Sequence, residues 1–165
     1  MILPILRWPD PRLKTHCDMV EVFDPALLAL ARDMLETMYD ARGRGLAAPQ
    51  VGVMQRIFVM DAGWKTGTPE PKMFFNPVIV TEERISGWTA PAGMAVNTEA
   101  CLSIPGREVR IARPAKVRLI WQDHAMRDCQ GDFTGFEAVC VQHEIDHLNG
   151  ILCIDHPPAP EGQAA

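Results

Sequence analysis

Apolar residues recur at helical spacing in two stretches and at strand spacing between them. Leu27, Leu28, Ala31, Leu35 and Met38 fall on one side of a helical wheel, with Arg32, Asp33 and Glu36 elsewhere, so an amphipathic helix is predicted over residues 25–41. Asp24-Pro25 marks its start, Asp as N-cap and Pro at the first helical position. Before it, Pro4, Pro9 and Pro11 among apolar residues predict an extended arm laid over the domain. Gly43 and Gly45 end the helix and open Gly43-Arg44-Gly45-Leu46-Ala47-Ala48-Pro49-Gln50, a segment of small residues that leaves the backbone open to close approach.

Short partly β-branched runs follow. Ile57-Phe58-Val59-Met60 reads as a buried strand, and residues 62–72 as a loop. Residues 74–80, interrupted at Asn76-Pro77, and 84–88 read as further strands, and 89–98 as a loop leading to Glu99-Ala100-Cys101-Leu102-Ser103. Residues 107–111 and 116–121 alternate apolar with polar, which predicts two strands with one solvated face; Arg107, Arg110 and Arg113 are expected on such a face, with contact to a bound ligand as the alternative. A loop over 123–132 then leads to a second helix over 134–149, with Thr134 and Glu137 as a capping box and Gly150 past its end. The expected fold is α+β: mostly antiparallel strands around a central metal-binding helix, with an N-terminal helix. Residues 1–155 form one catalytic domain, and 156–165 a frayed Pro-rich tail.

Composition narrows the class. A chain of 165 residues, 47% hydrophobic and 22% charged, is long enough to bury a core without staples. A net charge of −5 with no long basic run argues against nucleic-acid binding. No run of 18 apolar residues and no signal-peptide pattern appears, so neither a membrane span nor export is expected and the protein is placed in the cytoplasm. Five cysteines, odd in number and without a C-x-x-C pair, exclude a disulfide framework and a cysteine zinc knuckle.

The second helix carries the chemistry. His143 and His147, four residues apart, lie about 40° apart around a helix axis and can reach one metal ion, while Glu144 points about 100° away from His143, suited to handling a proton beside the ion. A catalytic metal ordinarily takes three protein ligands. Cys101, Cys140, Cys153, His124, His156 and carboxylates past the helix are candidates for the third. Cys140 and Cys153 fit best as small buried hydrophobes, whereas Cys101 sits in a loop with polar neighbours that can approach a helix.

Three segments taken together, Gly-Arg-Gly-Leu-Ala-Ala-Pro-Gln, Glu-Ala-Cys-Leu-Ser and Gln-His-Glu-Ile-Asp-His-Leu, resemble in order and spacing the signature motifs of the peptide deformylases. The opening Pro-Ile-Leu-Arg-Trp-Pro-Asp-Pro-Arg-Leu is similar to the start of that family, so the resemblance spans about residues 3–155. It implies hydrolysis of the N-formyl group of formyl-methionyl nascent peptides. It also implies one divalent ion, Fe²⁺ in the cell with Zn²⁺ or Ni²⁺ as alternatives, held by Cys101, His143 and His147. Glu144 would be the general acid/base, with Gln50 and the Leu102 backbone N–H as oxyanion donors. The segments around Arg44-Gly45 and Ala100 would bind the peptide strand, and Phe136, Val139 and Cys140 would line the pocket for the first side chain.

Two residues depart from the family pattern. Ala100 replaces a glycine, which costs about 1 kcal/mol or more if that backbone needs φ > 0 or if a substrate strand passes close by. Arg44 replaces an apolar residue; it is expected to swing into solvent, with pairing to Glu99 or recognition of an acidic substrate group as the alternatives. Both border the substrate, so altered substrate preference is expected. The tail lacks the basic helix by which some members dock on the ribosome. Two rival readings are a zinc endopeptidase built on the H-E-x-x-H pattern and a non-catalytic module that binds formyl peptides or metal.

Overall fold

The computed structural model describes residues 1–80 and 93–159. The strand expected over 84–88, part of the loop after it and the end of the tail lie outside the described residues. Helix α1 (Pro25–Asp40) begins as its sequence dictates, with the Asp24 carboxylate accepting the Leu27 N–H at 2.8 Å and Pro25 in the first turn. Strand β1 (Gly45–Ala47) leads into a 3-10 turn (Ala48–Val51), followed by β2 (Ile57–Met60), β3 (Lys72–Ile79), β4 (Met94–Cys101), β5 (Ile104–Pro114), β6 (Lys116–Gln122) and β7 (Asp128–Thr134); helix α2 (Gly135–Leu148) comes last.

The strands form two antiparallel sheets, one of five in the order β1-β2-β3-β6-β7 and a hairpin of β4 with β5. Strand β2 of the larger sheet is buried on both faces, which is why it reads as an unbroken apolar run. Ile57, Val59 and Phe75 pack under α1 against Leu27, Ala31, Met34 and Met38. Phe58, Phe74, Leu119 and Phe133 pack under α2 against Val141, Ile145 and Leu148. Helix α2 is thus walled in, with His143 and His147 buried on it.

Several expectations are corrected. Residues 94–98 belong to β4, and 128–132 to β7, rather than to loops. Strand β7 is a sheet edge whose outward residues are polar, so Asp128-Cys-Gln-Gly-Asp gives no apolar signal and its pairing with β6 supplies the order. Asn76-Pro77 does not break β3. The strand shifts register between Phe75 and Val78, Asn76 takes φ 52°, and its side chain clamps the arm through the N–H (2.7 Å) and carbonyl (2.9 Å) of Val20. The capping box of α2 is not formed: the Thr134 side chain makes no cap bond, and Gly135 enters the helix at φ 58°.

The arm lies over the domain as expected, except that Pro11–Lys14 form a 3-10 turn capped by Asp10 instead of running extended, and it reaches the chemistry. Leu6 N–H bonds the Gln50 carbonyl (2.7 Å), Trp8 N–H bonds the Ser103 carbonyl (2.9 Å), and the Arg7 guanidinium donates to the Leu102 carbonyl. Past α2, Gly150 stands at φ 71°, where a Cβ would lie 2.5 Å from the Lys14 carbonyl oxygen. Only glycine lets the arm cross there.

Candidate metal centre

Cys101 is the last residue of β4 rather than part of a loop. Strand alternation turns Glu99 and Cys101 inward and Ala100 outward, so two residues of one strand face α2 together. From α2, His143 and His147 bring their rings to a centroid separation of 5.0 Å at 70°. The sulfur of Cys101 lies 3.4 Å from His147 Nε2. One ligand atom each from Cys101, His143 and His147 falls within 4.8 Å of the others, the one such group of His, Cys, Asp and Glu among the described residues. Of the other candidates for a third ligand, Cys140 lines the pocket wall and Cys153 lies beside Cys101 in the core. His156 is bonded to Asp146 at 2.7 Å, and His124 lines a separate cleft.

The donor set fits a divalent ion. A carboxylate only accepts, so the 2.9 Å contact of Glu99 Oε1 with His143 Nδ1 fixes the proton on Nδ1 and leaves Nε2 free to ligate. Burial, with the charges of His143 and Arg113, holds His147 well below the ordinary histidine value, as a neutral ligand requires. Its Nδ1 is buried without a partner among the described residues. The Cys101 thiol, pushed up by its contact with Cys153 and by burial, needs a cation beside it to stay ionised.

Behind the ligands runs a chain of charge that sequence reading missed. Arg113 lies buried instead of on a solvated face, clasping Glu99 through Nε (2.6 Å) and Nη2 (2.9 Å) and reaching Asp146 through Nη1 (2.9 Å). Burial alone would raise the Glu99 carboxyl, but the bonds from Arg113 and His143 hold it at about 2. Alternation along β4 places Glu99 on the face of Cys101; Arg113 carries no comparable sequence signal.

Glu144 is set among Gly45, Gln50 and the pocket. A Cβ on Gly45 would stand 2.3 Å from Glu144 Oε1, so the glycine here makes room for the carboxylate. Gly45→Ala is expected to displace Glu144 and lower turnover while leaving ion content unchanged, read by metal analysis beside kinetics. Burial lifts the Glu144 carboxyl to about 7, and its Oε2 has no partner among the described residues. In metal-free protein the folded chain keeps this proton up to about 7, while the unfolded chain gives it up near 4.5. Stability therefore falls as pH rises between those values, by roughly 3 kcal/mol. Glu144→Gln removes that loss, so metal-free variant should melt higher than metal-free wild type at about pH 8, the difference fading toward about pH 4.5.

Gln50 is held by its own backbone and by the next turn. Its Oε1 accepts the Ala47 N–H at 2.9 Å, which aims Nε2 at Ser103 Oγ (3.1 Å) and toward the Cys101 sulfur (3.7 Å). Leu102 sits in the tight turn between β4 and β5. A cavity of about 340 Å³ opens in front of these groups, lined by Gly45, Ala100, Leu102, Val139 and Cys140 among others. Phe136 stands half exposed at its rim.

Both departures from the family pattern come out differently from expectation. Ala100 is exposed and does not take a positive φ, so no glycine-only backbone is required and its methyl faces the groove. Arg44 neither swings into solvent nor pairs with Glu99, which Arg113 occupies; its guanidinium lies over the Phe136 ring, 4.7 Å from the centroid.

Comparison with known proteins gives a consistent result. The family model described as "Polypeptide deformylase" matches residues 2–162. A peptide deformylase of Alkalilimnicola ehrlichii is 45% identical over 155 residues, covering 94% of this chain and 82% of the relative. One from Pseudomonas aeruginosa is 45% identical over 157 residues, covering 94% and 86%. The crystal structure of peptide deformylase from Thermotoga maritima superposes with a TM-score of 0.85 at 36% identity, over 97% of this chain and 99% of that one. Among the described residues no helix is long and apolar enough to cross a membrane.

Proposed function

Given that the chain belongs to the peptide deformylase family, a family of metal-dependent hydrolases that remove the N-formyl group from nascent peptides, we propose how its residues divide that work. Cys101, His143 and His147 hold one divalent ion, and Glu144 moves the protons. Gln50 Nε2 and the Leu102 N–H receive the formyl oxygen. The observation that carries the reading is the convergence of one thiol and two imidazoles, within 4.8 Å of one another, beside a buried carboxyl with an unpartnered oxygen.

When bound, the ion supplies Lewis acidity and makes water a nucleophile near neutral pH. A thiolate with two imidazoles suits Fe²⁺, Zn²⁺ or Ni²⁺, and Fe²⁺ is the proposed ion in the cell. Glu144, beside the ligand set and without a partner for Oε2 among the described residues, would take a proton from water and return it to the departing amine. Gln50 stays aimed because Ala47 and Ser103 fix its amide, and the Nε2 hydrogen that faces the Cys101 sulfur over a long 3.7 Å contact is the one available to the formyl oxygen. The arm holds Leu102 and Ser103 in the turn that supplies the second donor.

An extended peptide lies along Gly45 and the outward edge of β4 at Ala100, adding its backbone as a strand. Its first side chain enters the cavity between Val139, Cys140 and Phe136. Residues 1–155 act as one catalytic unit, in the cytoplasm, on peptides emerging from the ribosome. The test is formate release from a formylated tripeptide by protein loaded anaerobically with Fe²⁺. Release that follows the loaded fraction supports the reading; release that persists after chelation sinks it.

A further inference from the structure

The mouth of the catalytic cavity is cationic in a protein whose net charge is −5. Arg42, Arg44 and Lys65 all line it. Among the described residues none of the three forms an ion pair. The carboxylates that line the cavity itself are engaged or set deep, while the half-buried Glu137 shares with Arg44 the cleft on its other side and, among the described residues, pairs with no cation. Glu99 is clasped by Arg113 and His143, Glu144 lies buried against Gly45, and Asp132, in the cleft on the other side of Arg44, is paired with Arg118 and Lys116.

This cluster is fastened in place. Trp64 Nε1 donates to the Gly43 carbonyl at 2.8 Å, the Lys65 ammonium donates to the Arg42 carbonyl, and Asp61 N–H bonds the Arg44 carbonyl at 2.9 Å. Tyr39 donates to Asp61 at 2.7 Å and ties the same loop to α1. Arg44 rests on the Phe136 ring with its Nε buried and, among the described residues, unpartnered. Lys65 is held below the ordinary lysine value by burial and then by the charges of Arg44 and Arg42, so the three cations feel one another. Three mutually repelling cations around a groove, none of them in an ion pair among the described residues, are a surface that an anion completes.

Which anion follows from position. Arg44 stands at Phe136, at the end of the wall formed by Val139 and Cys140, where the first side chain of a substrate would terminate. A glutamate side chain is close to methionine in length and would follow the same apolar wall to the guanidinium. A carboxylate on the second residue would meet Lys65 and Arg42 at the mouth instead. We propose that this site favours formylated substrates bearing a carboxylate on the first or second residue, with Arg44 setting the preference at the first and Lys65 with Arg42 at the second. The inference rests on the formyl-hydrolase reading of the same cavity.

The test uses three C-terminally amidated peptides, formyl-Met-Ala-Ser, formyl-Glu-Ala-Ser and formyl-Met-Glu-Ser, so that the only carboxylate is the one under study. Formate release gives kcat/KM, and calorimetry gives the affinity of the matching formyl-free products. Wild-type protein is expected to favour one acidic peptide over the neutral one at least about tenfold, a bias that shrinks with added salt. If formyl-Glu-Ala-Ser is favoured, the carboxylate sits at Arg44, and Arg44→Leu should erase or reverse the preference while Arg44→Lys keeps part of it. If formyl-Met-Glu-Ser is favoured, the carboxylate sits at the mouth, and Lys65→Met should erase the preference. A neutral peptide turned over and bound as well as both acidic ones, or a preference untouched by the substitution assigned to it, overturns the proposal while leaving the hydrolase reading intact. Absence of turnover with all three, combined with tighter binding of an acidic product, overturns the hydrolase reading and supports the anion preference.

Discussion

Replacing Glu144 by alanine is expected to lower kcat for formate release by about 10²–10⁴-fold, the range that a positioned general acid/base supplies. The ion should stay, because Cys101, His143 and His147 converge without help from Glu144. KM should change little, since the carboxylate is placed to act on protons rather than to hold the peptide. The variant should also be no less stable than wild type when metal-free. It removes a carboxyl that burial has already lifted to about 7 and whose Oε2 has no partner among the described residues. Kinetics, metal analysis and thermal melting on the same samples check all four statements. A wild-type rate no higher than that of the variant, with equal ion content, would remove Glu144 from the mechanism.

Arg113→Met should have the largest effect on the fold. Arg113 bonds both oxygens of Glu99 and one of Asp146, and its removal leaves Glu99 buried without its counter-charge. Breaking such a pair from one side costs about 3–5 kcal/mol. For a chain of 165 residues that is a fall in Tm on the order of 10 °C. Glu99, no longer held at about 2, then keeps a proton to higher pH and loses its grip on His143 Nδ1–H. Metal affinity should drop by about 10–100-fold, as it does when the partner that orients a ligand is lost. Adding Glu99→Gln removes the uncompensated charge. The double variant should regain part of the lost Tm but not the metal affinity, because a neutral amide orients and polarises the imidazole less than a carboxylate does. Equal recovery of both properties would mean that Glu99 serves the fold alone.

These two positions also show what sequence could reveal. His143, Glu144 and His147 are neighbours in the chain, so helical geometry alone brings them together, and a resemblance carried by three separate motifs adds Cys101 and Gln50. The amphipathic α1 and its Asp24-Pro25 start were equally plain, because a helix face and its cap are local facts. Arg113 was hidden by its surroundings: an arginine in an alternating strand reads as solvated, and its burial depends on Glu99 in the paired strand and Asp146 on α2. Strand β7 escaped for a related reason, since an edge built from Asp128, Gln130, Gly131 and Asp132 is ordered by pairing with β6 rather than by an apolar pattern. Arg44 was noticed but misplaced. Where a guanidinium goes depends on the ring that Phe136 offers from another element, and no spacing along the chain encodes that contact. Gly45 was read as an approach for substrate; that its missing side chain also makes room for Glu144 is a contact between elements that no spacing along the chain encodes.

The most direct test of the metal centre is an anaerobic titration of metal-free protein with Fe²⁺, following bound ion and formate release together. Activity should rise in proportion to bound ion and saturate at about one ion per chain, and Cys101→Ala should abolish both tight binding and release. Formate release by metal-free protein, or tight stoichiometric binding that survives Cys101→Ala, would contradict the account.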